Sequence, residues 1–158
     1  MLASLDVALP LDAEVEVILV HDGDGSALTD DLVAGFGHPL TRTATGRRSG
    51  PATARNHGAA RAAGETIVFL DDDVIIPYGW YEGLLRALAE HPEAGLLSGP
   101  LRSVAERNLI SQTFEALVIR HEQRDGLWYL ASACLAARPH ALNALGGFDE
   151  ALRVSGED

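Results

Sequence analysis

Three consecutive aspartates, Asp71, Asp72 and Asp73, close the apolar run Thr66-Ile67-Val68-Phe69-Leu70. A β-branched apolar run of that length reads as a strand, so its carboxyl end delivers several carboxylates to one point. Like charges at close range repel and raise one another's pKa, and a folded chain keeps such a cluster only where something compensates it. A divalent cation is the natural compensating charge.

The rest of the chain places that strand in an α/β pattern. Val15-Glu16-Val17-Ile18-Leu19-Val20 reads as an earlier strand running into the Gly/Asp/Ser loop from His21 to Ser26. Ser49-Gly50-Pro51 reads as a helix start, with an Ala-rich segment to about residue 63 and Gly64 as its stop. After the aspartates, Pro77 opens a second helix carrying Trp80, Leu84, Leu85 and Leu88 at helical spacing. A short strand is expected over 95–98, an amphipathic helix over 104–121, a strand at Trp128-Tyr129-Leu130 and a short helix over 139–145 ended by Gly146-Gly147. Strands alternating with helices imply βαβ units and a mostly parallel sheet, in which ligands bind outside the carboxyl ends of the strands. The two acidic loops, 21–24 and 71–73, both follow such ends.

Composition removes several function classes. At 158 residues the chain is the size of one domain, and 1–158 is expected to form a single unit. All twelve basic residues are arginine, which excludes a phosphate-loop or Schiff-base lysine. The lone Cys134 excludes an internal disulfide, and a reducing, cytoplasmic compartment is expected. A net charge of −11 argues against a nucleic-acid or anionic-membrane partner. No run approaches the length of a membrane-spanning helix, and no signal peptide is expected at the amino end. The charge is uneven, however: no acid lies between Asp31 and Glu65, a span that holds Arg42, Arg47, Arg48, Arg55 and Arg61. These form either a solvated basic face or a cradle for the anionic part of a ligand.

Four motifs in order carry a resemblance. They are Val17-Ile18-Leu19-Val20 leading to Asp22-Gly23; Gly50-Pro51 with Ala54-Arg55-Asn56; Ala63-Gly64-Glu65 leading to Phe69-Leu70-Asp71-Asp72-Asp73 and Pro77; and Gly146-Gly147-Phe148-Asp149-Glu150 followed by Gly156-Glu157-Asp158. In this order the chain resembles the family 2 glycosyltransferases, whose nucleotide-sugar-binding domain has the GT-A fold. The resemblance implies a mostly parallel central sheet flanked by helices. It also implies transfer of a sugar from a nucleotide-diphosphate donor, a UDP-, GDP- or dTDP-sugar, to an acceptor hydroxyl by metal-assisted, inverting single displacement. Mn²⁺ or Mg²⁺ would be the metal.

By the same resemblance Asp73 is a metal ligand, Asp71 faces metal or ribose, Asp72 shares either task, and Asp22 touches the donor nucleoside. Asp24 is equally well a turn residue. Arg55 points toward base or diphosphate, and Asn56 is expected to bridge to the strand carrying the aspartates. Asp158 takes the place of the general base. The departures from the family pattern are His21 where aspartate is common, and two extra residues before Ser26. Residues 1–5 resemble the end of the family's first helix, so its first strand is expected to be lacking. The bared sheet edge would then favour self-association, and the membrane's inner face is the expected location if the protein is not free in the cytoplasm.

Two competing readings stand beside this one. A non-catalytic fragment would keep the fold and metal or nucleotide binding without turnover. A haloacid-dehalogenase-like phosphatase also places Asp-x-Asp after a strand, but puts it on the first strand and usually needs a lysine. No Gly-x-Gly-x-x-Gly follows the first strand, which removes a dinucleotide-binding domain.

Overall fold

The computed structural model describes residues 1–101, 130 and 132–152. The helix expected over 104–121, Trp128, Tyr129 and Asp158 lie outside the described residues. In chain order the elements are α1 (Leu2–Ala8), β1 (Val17–His21), α2 (Asp30–Val33), β2 (Leu40–Ala44), α3 (Pro51–Ala59), β3 (Ile67–Leu70), α4 (Trp80–Glu90), β4 (Leu96–Ser98), β5 (Cys134–Ala137) and α5 (Pro139–Leu145). Among the described residues these strands form two groups. β1 pairs in parallel with β2, while β5 lies between β3 and β4, antiparallel to both.

The expected mostly parallel sheet is therefore mixed. β3 and β4 share a direction because both oppose β5, so a single reversed strand accounts for the antiparallel pairing. Residues 99–133 separate β4 from β5, a length of chain that permits either direction of entry.

Side chains alternate between two cores, as the period of a strand requires. Ile67 and Phe69 join Ala52 of α3, Leu135 and Ala137 of β5, Leu142 of α5 and Phe148 on one face. Leu70 and Val17 turn the other way, to Leu5, Ala8 and Leu9 of α1 and to Ile76, Trp80 and Tyr81. Helices thus cover both faces of the strand layer. Leu85, expected on the apolar stripe of α4, is 48% exposed.

The local signals that build α3 and α5 are those of the sequence. Proline occupies the first turn of each, and α5 ends at Gly146 in the left-handed conformation, with the Gly147 N–H bonded to the Leu142 carbonyl. Gly147 is itself left-handed at φ +80°, and a Cβ there would lie 2.7 Å from Asn56 Oδ1. Gly147→Ala therefore adds backbone strain to a collision with a hydrogen-bonded amide. The expected cost is about 2 kcal/mol or more, read as a lowered urea midpoint; an unchanged midpoint would show that the Asn56 contact gives way freely.

Candidate active site

The carboxyl ends of β1 and β3 meet at the amino-terminal half of α3. Asp22, the first residue past β1, does not hang free there. Its Oδ1 accepts the Ser49 N–H at 2.8 Å, its Oδ2 accepts the Gly50 N–H at 2.9 Å, and the Thr45 hydroxyl lies 3.0 Å from Oδ1. The carboxylate caps α3 from a different strand, where the helix dipole favours negative charge. Burial pushes the Asp22 pKa up, but the Ser49 and Gly50 N–H groups, the Thr45 hydroxyl and the nearby Arg48 outweigh it and hold the pKa below the usual value.

Because the folded pKa is depressed, Asp22 contributes stability above the unfolded carboxylate value of about 3.9. That stability disappears as pH falls through the lower folded value. The stability gap between the native chain and Asp22→Asn is thus expected to be widest near neutrality and to close in acid, measured as urea midpoints against pH. A gap independent of pH would show that the charge of Asp22 is immaterial to the cap.

The loop after β1 closes on itself. His21 Nδ1 accepts the Gly25 N–H at 2.9 Å, and Asp24 Oδ1 accepts both the N–H and the hydroxyl of Ser26. Those Ser26 bonds lower the Asp24 pKa, and they account for Asp24 as a turn residue. The histidine that departs from the family pattern holds the enlarged loop in shape.

Of the aspartate triplet, Asp71 is partly buried and paired: Arg55 Nη2 lies 2.8 Å from its Oδ1. The same guanidinium sits 5.4 Å above the Phe148 ring, which keeps its planar cation over an aromatic face. Asp72 and Asp73 are exposed. Among the described residues no three His, Cys, Asp or Glu side chains converge as a ready metal cage. One or two carboxylates at a strand end, completed by ligand phosphates, nonetheless suit Mg²⁺ or Mn²⁺, which keep several non-protein oxygens.

The remaining arginines divide. Arg48 faces Asp22, whereas Arg42 pairs with Asp30 at 2.8 Å and Arg61 donates to the His57 carbonyl. The acid-free segment is therefore not a single cradle: Arg48 and Arg55 stand near the strand ends, whereas Arg42 and Arg61 are engaged elsewhere.

Asn56 bridges, but not to the strand of the aspartates. Its Nδ2 donates to the Phe148 carbonyl and to Glu150 Oε1, and its Oδ1 accepts the Phe148 N–H, each at 2.9 Å. Thr53 donates to Glu150 Oε2 at 3.1 Å. The expected partner is corrected: Asn56 fastens the Gly-Gly-Phe-Asp-Glu segment onto α3. The signal was present in the sequence only as the co-occurrence of the two motifs.

Comparison with known proteins bears on the family and the fold. The family model described as Glycosyl transferase family 2 matches residues 4–138. A protein of Mycobacterium tuberculosis named pre-mycofactocin glycosyltransferase is 31% identical over 156 residues, covering 91% of this chain and 32% of that protein. Over 47 residues, 30% of this chain and 8% of the relative, this chain is 51% identical to polypeptide N-acetylgalactosaminyltransferase 3 of Taeniopygia guttata. Residues 1–349 of S. aureus TarS superpose with a TM-score of 0.72 at 23% identity, covering 99% of this chain and 47% of that one, which shows a shared fold. The chain spans about a third of the length of the M. tuberculosis relative.

Proposed function

The chain belongs to glycosyl transferase family 2, and on that premise we propose that it carries the donor-binding part of a sugar-transfer site. One observation supports this above the others: Asp22, Arg55 and Asp71 to Asp73 are gathered at the carboxyl ends of β1 and β3 around one helix. The donor would be a UDP-, GDP- or dTDP-sugar. Asp22 and Asp72 would line the nucleoside and Arg55 the diphosphate, with the reaction at the cytoplasmic face of the membrane or free in the cytoplasm.

Mn²⁺ or Mg²⁺ held by Asp73 with Asp71 would offset the negative charge that collects on the departing diphosphate. Asp158 would accept the acceptor hydroxyl's proton as that oxygen bonds to the anomeric carbon, the carbon–phosphate-oxygen bond breaks and the nucleoside diphosphate leaves. One displacement of this kind inverts the anomeric centre. Among the described residues no helix is long and apolar enough to cross a membrane.

A second reading, a nucleotide-binding module without turnover, is favoured by the Arg55–Asp71 pair, which already neutralises one carboxylate of the triplet. Calorimetry with UDP, GDP and dTDP, with and without Mn²⁺, together with release of nucleoside diphosphate from donor sugars, separates the two. Metal-dependent binding with turnover is the expected result. Binding without turnover establishes the second reading, and absence of binding to all three nucleotides overturns both.

A further inference from the structure

The loop that follows β1 is wrapped around an imidazole. The Gly25 N–H donates to His21 Nδ1 at 2.9 Å, and a Cβ placed on Gly23 would fall 2.7 Å from the ring's Cε1, so the ring lies directly against the backbone of residues 23–25. A nitrogen that accepts carries no proton, and the neutral ring therefore holds its proton on Nε2. The shape of the loop depends on that form of the ring.

The same loop carries Asp22 and is tied to the chain ahead of α3. The His21 carbonyl accepts the Thr45 N–H at 3.0 Å, and the Gly23 carbonyl accepts the Gly46 N–H at 2.8 Å. Asp22, between them, takes the Thr45 hydroxyl and the Ser49 and Gly50 N–H groups. A movement of residues 23–25 thus reaches Asp22 through bonded neighbours on both sides.

A second proton reverses the contact. Imidazolium carries an N–H on both nitrogens, so Nδ1 would meet the Gly25 N–H donor to donor. Asp24 in the same loop is acted on by the His21 charge, and Ser26 engages its Oδ1 alone. The other charged groups on the elements packed around the ring are placed as follows. Arg47 and Arg48, in the segment 45–50, are exposed, and Arg48 acts on Asp22. On α3, Arg55 is bonded to Asp71 and His57 to Thr43, while β2 sets the uncharged Ala44 opposite His21.

We propose that His21 is a proton-operated latch and the positioning residue of Asp22. Neutral, it holds the Gly25 N–H on Nδ1; protonated there, it releases Gly25, turns to the Asp24 carboxylate and loosens the ties of Asp22 to Ser49 and Gly50. The latch needs no ligand. Its effect on a donor rests on the role proposed above for Asp22, which then weakens as the solution becomes acid.

The full chain, labelled with ¹⁵N, is followed by NMR from about pH 7.5 to about pH 5.5, a span around the ordinary imidazole value of about 6.5. The coupling between Gly25 N and His21 Nδ1, which only an N–H···N bond transmits, is expected at the upper end and lost at the lower. Hydrogen-exchange protection at Gly25, Ser49 and Gly50 should fall with it by about fivefold or more. His21→Asn puts an acceptor Oδ1 in the place of Nδ1 and does not titrate, so it should keep the three amides protected throughout. UDP affinity in Mn²⁺ is expected to fall by about fivefold or more over the same span in the native chain, beyond any change in His21→Asn.

A coupling absent at the upper pH, a coupling that survives to the lower, or the same pH dependence in His21→Asn overturns the latch. Release of Gly25 with Ser49 and Gly50 still protected overturns the positioning of Asp22. The full amide pattern establishes both without any nucleotide. If UDP then binds equally at every pH, or not at all, it is the donor role of Asp22 that fails.

Discussion

Asp73→Ala lowers the affinity for UDP in Mn²⁺ by about a hundredfold, or about 2.7 kcal/mol, and leaves the weak metal-free binding where it was. The expectation comes from the division of the triplet. Asp71 is engaged by Arg55 at 2.8 Å, whereas Asp73 is exposed past the strand end. A hard cation bound there would draw its remaining ligands from water and the diphosphate, so removing the exposed carboxylate assigned to it removes most of the protein's hold on it. Because Asp73 carries no packing load, the variant should unfold at the native urea midpoint. Equal UDP affinity with and without the substitution would move the metal site elsewhere.

Asp158→Asn lowers kcat by about 10²–10⁴-fold, with the Kd for UDP unchanged. A base acts only in the chemical step, so its loss should appear in kcat and kcat/KM alike and not in donor affinity. The assay belongs on the chain extended to the length of its relatives, of which this chain spans about a third. Retained turnover would give the proton to another group. A parallel loss of UDP binding would instead make Asp158 part of the donor pocket.

Elements with a strong period or a capping residue were legible in the sequence: β1 and β3 from their β-branched runs, α3 and α5 from proline at the start, α5 also from its terminal glycines. β2 was not. Its sequence Leu40-Thr41-Arg42-Thr43-Ala44 holds one large apolar residue, and its identity as a strand comes from the backbone of β1. β5, Cys134-Leu135-Ala136-Ala137, holds three residues that favour a helix, and pairing on both edges overrides that propensity.

Within the site, the triplet was visible because its residues are adjacent in the chain. The cap of α3 by Asp22 and the clamp of Asn56 on Phe148 were not, since they join groups 28 and 92 residues apart. Sequence spacing carries no record of such a contact. The basic segment misled for a related reason: a run of arginines looks like one patch until the helix and strand that hold them send Arg42 and Arg61 to partners of their own.

The division of the strands into two hydrogen-bonded groups bears on the mechanics of the site. A backbone ladder locks neighbouring strands in steps of about 3.3 Å, whereas packed side chains allow small continuous sliding. Among the described residues no ladder runs between Asp22 and Asp71; α3 links the two sides of the mouth, through Asp22 at its start and the Arg55 ion pair one turn further on. α3 therefore acts as a gauge bar. Breaking the Arg55–Asp71 pair would loosen the spacing of the mouth without unfolding either strand group, giving the molecule a soft shear mode aligned with its own candidate site.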